Sequence, residues 1–446
     1  MAARTMALVG HMCIGPTMHH AGSWRHPDSD VHQVLDPERY EHLARLYERG
    51  FFDGLFIVDY QSVSDAKPGV PSGMVGRGGQ MAMLDPLQML AVMARVTKHV
   101  GLAATLSTTY NQAYAIARKF ATLDHISKGR AGWNIVTSSQ STEARSLGLD
   151  KLPPTEQRYD HADEVIEACL ELWNSWDADA LRFDREHGVF ADASKVRYVQ
   201  YQGKTVKSSG PLTTPRSPQG RPVFMQAGAS DRGRDFAARW AEVIFTQNPN
   251  KAAMQAFYSD IKSRMAAKGR RPQTCAVLPA IAVITGNSEA EAQERAADVD
   301  RFSTPEMGMD LVELVMGTSV AGYPPDTLVT DIKLSPSGPT TVGTYDNLTG
   351  IRKDGRPLTI AEAAMRMAST WGLPRFVGKV SDVVDQMQEL FEGGCCDGFI
   401  VAQPLSPGHL EMFVEKVVPE LQRRNLYRTE YTGRTFRDNL MSALGS

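Results

Sequence analysis

The sequence predicts an α/β protein built on a parallel (β/α)8 TIM barrel with long loop insertions. Eight short apolar runs have the character of strands, and they alternate with amphipathic segments of helical periodicity. Eight such repeats favour a closed barrel over a doubly wound open sheet, which is the alternative. A minimal barrel needs roughly 250 residues. A chain of 446 residues must therefore carry insertions.

Each element follows from its own local pattern. The expected strands are Ala7 to Cys13, Gly54 to Asp59, Val100 to Ser107, Ala131 to Thr137, Val223 to Gly228, Val243 to Gln247, Val277 to Thr285 and Gly398 to Gln403. Apolar residues at helical spacing predict helices that include 37–50, 85–98 and 155–173. We expect residues 1–446 to form one domain, with insertions at roughly 14–36, 183–221 and 303–357. The third insertion shows little periodicity and is expected to be rich in loops.

Composition excludes several classes of protein. Hydrophobic residues make up 42% of the chain and charged residues 22%, which is typical of a globular protein. The formal charge is only -3, and Lys and Arg are not concentrated in any stripe, so nucleic acid is not an expected partner. The five cysteines form no CxxC pair, which favours a reducing cytoplasm. Neither a signal peptide nor a membrane-spanning run is indicated.

The stretch 222–241, PVFMQAGASDRGRDFAARWA, has the pattern of a strand, a tight turn and a helix. Gly228 permits the sharp turn, and Ser230 and Asp231 are placed to cap the helix. Backbone N–H groups at such a helix start have no intrahelical partner, and the helix dipole adds positive potential. The segment therefore favours a bound phosphate, although an ordinary serine-capped turn is the alternative.

Polar residues close several of the predicted strands. Asp59, Thr105, Asn134 and Ser138 stand at or near carboxyl ends of strands, where a barrel binds its ligands. Together with the phosphate turn, they indicate one extended polar ligand across the barrel mouth. Tyr159, in the first turn of its helix, has a hydroxyl that can either reach a phosphate or pack. Arg158 beside it is equally compatible with a surface position.

Further candidates are aromatic or titratable. Trp24, Phe245 and Trp371 are candidate apolar walls for a planar ring. His19 and His20 are adjacent in a histidine-rich loop, but adjacent histidines coordinate one ion poorly, so no metal is expected. The motifs GxGxxG, GxSxG and HExxH and the Walker lysine loop are absent from the sequence. Dinucleotide folds, common serine hydrolysis and P-loop nucleotide hydrolysis therefore lose support.

The chain also resembles the bacterial-luciferase-like flavin monooxygenases of the nitrilotriacetate and dibenzothiophene-sulfone monooxygenase group. The similarity spans nearly the whole chain, and its segments are HHAGSWRHP, FFDGLFIVDY, GRAGWNIVTS, RYDHADE, GPLTTPRSPQGRPVFMQAGAS, VGKVSDVVDQMQELFEGGCCDGFIV and VVPELQRRNLYRTEYTGRTFRDNL. The resemblance implies a luciferase-like TIM barrel. It also implies reduced FMN, delivered by a separate NAD(P)H:flavin reductase, and a homodimer or homotetramer.

Site residues also follow from the resemblance. It implies that Asp59, Thr105, Tyr159 and Ser230 contact FMN, with the backbone of Gly228, Ala229 and Ser230 at the phosphate. Ser138 matches a polar strand end that assists in relatives. His20 and Trp24 match a loop near the reactive side of the flavin, which makes His20 the candidate catalytic residue. Relatives often carry a histidine where this chain has Thr155.

The leading hypothesis is a two-component monooxygenase that uses reduced FMN and O2 to insert one oxygen atom into a small organic substrate, such as an amine, a sulfur compound or a haloaromatic. The resemblance implies a flavin peroxide as the oxygenating species. The alternatives are a deazaflavin-dependent oxidoreductase and a non-catalytic flavin-binding protein on the same fold. An isomerase or aldolase barrel acting on a phosphosugar is the alternative at the level of the fold.

Overall fold

The computed structural model describes residues 4–16, 19–67, 70–79, 83–335 and 338–445. Its main sheet contains the strands β1 (Ala7–Cys13), β2 (Gly54–Val58), β3 (Gly101–Ser107), β4 (Ala131–Val136), β5 (Val223–Gln226), β6 (Val243–Thr246), β7 (Ala276–Gly286), β8 (Arg375–Lys379) and β9 (Gly398–Ala402). All pairings between these strands are parallel, in the order β6-β5-β4-β3-β2-β1-β9-β7. A further pairing of β6 with β7 closes this sheet. The predicted eight-stranded barrel is confirmed, and its strands are the eight that the sequence indicated.

Strand β8 was not predicted from the sequence. It pairs with the second half of β7, where Ala282 is opposite both Arg375 of β8 and Ala402 of β9. Since β9 occupies one edge of β7 at Ala282, β8 must lie on the other edge. That is the edge on which β6 pairs with the first residues of β7. The long β7 thus continues beyond the end of β6, and β8 extends the wall of the barrel mouth there.

Helices cover the outside of the barrel. They are α1 (Pro37–Arg49), α2 (Pro86–Val96), α3 (Ala113–Ile126), α4 (Ser141–Ser146), α5 (Thr155–Trp173), α6 (Asp231–Trp240), α7 (Lys251–Ala267), α8 (Glu289–Asp300), α9 (Pro305–Met316), α10 (Val342–Gly350), α11 (Ile360–Thr370), α12 (Val380–Glu392), α13 (Gly408–Met412), α14 (Val418–Arg423) and α15 (Phe436–Leu444). A π-helical turn, 413–417, joins α13 to α14. In the described ranges, no helix combines the length and apolar character needed to span a bilayer.

The amino end of the barrel is closed by α15. Phe436 is fully buried among interior residues of the strands, in one cluster with Leu440 of the same helix. A Cβ added at Gly54 or Gly132 would come within 2.8 or 3.0 Å of the Phe436 ring. The small residues at the start of these strands therefore make room for the aromatic plug.

The second insertion folds into two antiparallel hairpins. Their strands are 181–184 with 189–191 and 199–202 with 207–210. The connector that follows leads into β5. In the first insertion, Thr17 and Met18 lie outside the described residues.

The third insertion requires a correction, because the expected loop-rich segment 303–357 contains α9 and α10. The apolar residues of α9 recur at helical spacing and pack against α11 in a separate core cluster. Gly308 of α9 lies so close to the Ala364 backbone that a Cβ would collide with it. The apolar side of α9 therefore packs on α11, which follows the predicted insertion in the chain, and not on the barrel strands.

Candidate active site

The turn after β5 has the geometry that its sequence predicts. Ser230 caps α6, because its Oγ accepts a hydrogen bond from the Gly233 N–H at 3.1 Å. A Cβ at Gly228 or Gly233 would lie 2.7 or 2.8 Å from the Tyr159 hydroxyl. Two glycines therefore allow the tyrosine hydroxyl to reach the start of the helix, where N–H groups favour an anion.

Arg158 lies beside this turn and is not a surface charge, since only 8% of the residue is exposed. Its guanidinium donates to the carbonyl of Ser138 and, at 2.9 Å, to Thr155 Oγ1, while Nε is buried without a partner. In the described part of the chain, no carboxylate lies within ion-pair distance of it. Burial lowers the pKa of Arg158. A buried cation without a counter-ion favours an anionic ligand.

The end of β4 is strained next to this arginine. Ser138 has φ = 58°, the left-handed region that non-glycine residues rarely adopt, and its Oγ donates to Ser107 Oγ at 3.0 Å. Such conformations persist where the surrounding structure fixes them, often at ligand sites. Here the strain presents the Ser138 carbonyl to Arg158.

Two predicted strand-end residues form one buried pair. Thr105 Oγ1 donates to the Ile57 carbonyl at 2.8 Å, and Asn134 Nδ2 donates to Thr105 Oγ1 at 2.9 Å. Both residues are buried on neighbouring strands in register. The amide oxygen of Asn134 is left to accept a further hydrogen bond at the barrel mouth.

A group of rings that includes the predicted Phe245 fills the upper interior of the barrel. The His11 ring stacks on Phe56 with centroids 4.6 Å apart, and it lies 4.0 Å from His19 and 5.4 Å from Phe245. Neither ring nitrogen of His19 nor Nδ1 of His11 has a hydrogen-bond partner in the described ranges. Burial lowers the pKa of His19 to about 3. At neutral pH this imidazole is therefore uncharged, with both nitrogens available to a ligand.

His20, the predicted catalytic histidine, is engaged elsewhere. Its Nε2 lies 3.2 Å from Asp300 Oδ1 and 3.1 Å from Ser303 Oγ, and its Nδ1 accepts from the Gly22 N–H at 3.2 Å. The ring is fully buried. The structure thus uses His20 to join the first insertion to the turn between α8 and α9.

A cleft of about 350 Å³ opens beside the barrel mouth. Its lining comes from the loop after β2, the loop after β4, α9 and the end of α11: Tyr60, Ser62, Val63, Ser64, Ser72, Met74, Val75, Gln140, Leu314 and Trp371. Trp371, a predicted wall residue, is among the residues that line this cleft. Trp24 does not line this cleft, because it lies against Gly78 and donates from Nε1 to the Arg77 carbonyl at 2.9 Å.

Carboxyl groups cluster under the cleft. Asp59 is half-buried, and burial, followed by the charges of Asp85 and Glu143, raises its pKa to about 7. Glu143 accepts a hydrogen bond from the Gln61 N–H at 3.1 Å. In the described ranges, none of the three acids forms an ion pair with Lys, Arg or His. No group of three or more His, Cys, Asp or Glu among the described residues is arranged to hold a metal ion.

The structure therefore brings most of the predicted site residues to one face. Tyr159 reaches the phosphate turn, and Arg158 beside it in the chain contacts Ser138. Thr105, Asn134 and Phe245 lie in the barrel. Sequence reasoning missed His11, His19 and the burial of Arg158. The available signal for His11 was its position in β1, in phase with the interior residues Ala7 and Val9.

Comparison with known proteins shows the family. The luciferase-like monooxygenase family matches residues 17–395. The chain is 43% identical to the dibenzothiophene-sulfone monooxygenase of Rhodococcus erythropolis over 98% of this chain and 96% of that one. It is 36% identical to nitrilotriacetate monooxygenase component A of Aminobacter aminovorans, over 94% of this chain and 93% of the other.

A solved relative gives the same fold with a flavin. The crystal structure of a riboflavin lyase with modified FMN and riboflavin has a TM-score of 0.89 to this structure. It is 28% identical, over 98% of this chain and 96% of that one. The chain therefore belongs to the luciferase-like monooxygenase family.

Proposed function

We propose that this protein is the oxygenase component of a two-component system. It binds reduced FMN from a separate NAD(P)H:flavin reductase and uses O2 to place one oxygen atom in a small organic substrate. The observation that carries the proposal is Arg158, a buried guanidinium that has no carboxylate partner in the described residues. It directly precedes Tyr159, whose hydroxyl reaches a helix start suited to phosphate.

The residues around Arg158 fit the phosphate of FMN. The backbone of Gly228, Ala229 and Ser230 offers the turn, and Tyr159 adds a hydroxyl beside Gly228. Thr155, where relatives often carry a histidine, orients the guanidinium by accepting its hydrogen bond at 2.9 Å. In this reading Thr155 supports the phosphate contact through Arg158.

The remaining polar groups suit the other parts of the cofactor. Thr105 and Asn134 carry polar groups on β3 and β4, and Asp59 and Ser138 follow the ends of β2 and β4. Bound reduced FMN supplies the electrons that activate O2, so that one oxygen atom enters the substrate and the other leaves as water. The protein holds the flavin in place and keeps bulk water from the reacting atoms.

His19 is a stronger candidate than His20 for a proton-handling role at the reacting atoms. Its ring nitrogens have no partners in the described ranges, and its ring packs against that of His11 with the centroids 4.0 Å apart. An uncharged imidazole can accept or donate one hydrogen bond at a stated nitrogen, Nδ1 or Nε2. The nitrogens of His20 are already occupied by Asp300, Ser303 and Gly22.

The relatives support this reading over its alternatives. They include monooxygenases of sulfones and of nitrilotriacetate that match nearly the whole chain, and a flavin-bound relative shares the fold. The deazaflavin oxidoreductase and the non-catalytic flavin protein are therefore not favoured. The homodimer or homotetramer expected from the family belongs to the same proposal.

An isotope experiment tests the proposed reaction. The purified protein would be mixed with NADH, a flavin reductase, FMN and 18O2, using dibenzothiophene sulfone as the first substrate of a broader panel. We expect one 18O atom per product molecule, and equal product when photoreduced FMN replaces the reductase and NADH. Substrate conversion without O2, or product without 18O, would contradict the proposal.

A further inference from the structure

The described residues that line the cleft beside the barrel mouth are all uncharged. Five of its residues are apolar, and the other five carry hydroxyl, phenol or amide groups. None of the described lining residues carries a formal charge.

The nearest cations are already neutralised by carboxylates. Arg77 belongs to an adjoining cavity of about 220 Å³ and forms an ion pair with Asp310, which lines the same cavity. Arg145, after Gln140 in the chain, is paired with Asp65. Lys67 lies three positions after the lining residue Ser64 in the chain, and the structure describes its backbone but not its side chain.

The base of the cleft is acidic. Asp59 directly precedes the lining residue Tyr60, and its carboxyl interacts with Asp85 and Glu143. The Glu143 carboxylate is fixed to the Gln61 backbone at 3.1 Å, and Ser62 Oγ donates to Thr142 Oγ1 at 2.9 Å. These contacts hold the acidic group close under the lining. A second anion placed in the cleft would meet like charge, and no described side chain that lines the cleft supplies a compensating cation.

We propose that the substrate taken by this cleft is an uncharged, weakly polar molecule with an apolar body and hydrogen-bonding groups, and that the cleft rejects polycarboxylates. This inference rests on the proposed function, because it takes the cleft as the substrate site beside the flavin. The serine hydroxyls and Gln140 recognise neutral acceptors and donors, while Leu314 and Trp371 cover the apolar body. The chain therefore differs in substrate charge from an enzyme that takes nitrilotriacetate.

The test begins with a separate measurement of FMN binding by the purified protein. Ligand-observed NMR on the FMN-loaded protein then compares a panel in which each small sulfone or methyl ester is matched with its carboxylate analogue. We expect the neutral members to bind roughly tenfold or more tightly than their carboxylates. Failure to bind FMN would overturn the proposed function together with this inference. FMN binding without a preference for neutral members, or with no member bound, would overturn this inference alone.

A variant that adds a positive charge tests whether the cleft is the substrate site. Leu314→Arg places a cation on the cleft wall, away from the loops proposed to hold FMN, so we expect carboxylates to gain roughly tenfold in affinity with FMN affinity unchanged. The matched control is Leu35→Arg, the same substitution at a side chain that is 62% exposed and does not line the cleft. Equal gains in both variants, or no gain in Leu314→Arg, would show that the cleft is not the substrate site. A Lys67→Gln variant that loses carboxylate binding would also overturn the inference.

Discussion

Two adjacent histidines show how surroundings decide the role of a residue. The His20 ring bonds to Asp300, Ser303 and Gly22, whereas the His19 ring nitrogens have no partner in the described ranges. Sequence similarity favoured His20 as the catalytic residue. A motif gives the residue types, however, and not the direction in which each ring points. Two of the partners of His20, Asp300 and Ser303, lie 280 and 283 residues further along the chain. No local pattern contains that information.

The two histidines should respond differently to substitution. His20→Ala removes buried hydrogen bonds between the first insertion and the start of α9, so we expect a stability loss of about 1–3 kcal/mol in urea unfolding. His19→Phe removes two unpartnered buried nitrogens, and we expect its stability to be kept or raised while turnover falls. The isotope assay and unfolding curves on both variants provide the measurement. A His20→Ala variant of full stability and lost turnover would restore His20 as the catalytic candidate.

Asp59 should make stability depend on pH. Burial and the neighbouring acids raise its pKa to about 7, so the folded state holds the proton more tightly than the unfolded chain does. The stabilisation is fully present below the ordinary pKa of an aspartate and is lost as the pH rises through about 7. In the absence of flavin, Asp59→Asn should therefore exceed the wild type in stability at pH 8 by on the order of 1 kcal/mol and converge with it near pH 4.

Urea unfolding at several pH values measures this effect. The exposed Asp150→Asn serves as the control, with a difference from the wild type that we expect to stay constant over the same range. If the difference in stability between Asp59→Asn and the wild type stays constant with pH, the Asp59 carboxyl is not destabilised when it is ionised.

At the scale of the element, the barrel strands could be predicted and some other elements could not. Each barrel strand is a short apolar run, so its signal is local, and all eight were located. Strand β8 pairs with the upper half of β7, and α9 packs on α11, which lies outside the predicted insertions. Their existence depends on tertiary partners that the sequence pattern does not identify. The burial of Arg158 is of the same kind, because the loops that cover it come from distant strands.

Helix α15 provides a test of how the barrel is closed. Phe436 fills the amino end under Gly54, Gly101 and Gly132. Phe436→Ala would leave a cavity that the strands cannot collapse around, so we expect a loss of about 3–5 kcal/mol. The matched control is Phe190→Ala on an exposed hairpin, where the side chain is 66% exposed and a change below about 0.5 kcal/mol is expected. Similar losses of stability in both variants would contradict the role of Phe436 in closing the barrel.

Glu242 ties the same helix to the barrel. Burial by itself would raise the pKa of Glu242, but the guanidiniums of Arg221 and Arg437 bring it to about 2. Arg437 Nη1 also donates to the Gln219 carbonyl at 2.9 Å. The C-terminal helix is therefore held by ion pairs as well as by its aromatic residue.

At the scale of the whole molecule, the site is divided between two parts of the chain. One part, near α5 and α6, carries Arg158 and the turn at Gly228, and is suited to phosphate. The other, formed by the loop after β2 with α9 and α11, carries an uncharged cleft above an acidic base. Helix α10 approaches the first part, since a Cβ at Gly343 would lie 2.7 Å from the Ala229 Cβ. The third insertion thus contacts both parts.

The most direct test of the central claim compares the binding of FMN and riboflavin, which differ by the phosphate, by calorimetry. Charge-assisted hydrogen bonds to a buried arginine are worth about 1.5–3 kcal/mol each, so the wild type should bind FMN at least about a hundredfold more tightly. Arg158→Met should remove most of that preference with little change for riboflavin, whereas the exposed Arg95→Met should keep it. Equal weakening of both ligands by Arg158→Met would contradict the account.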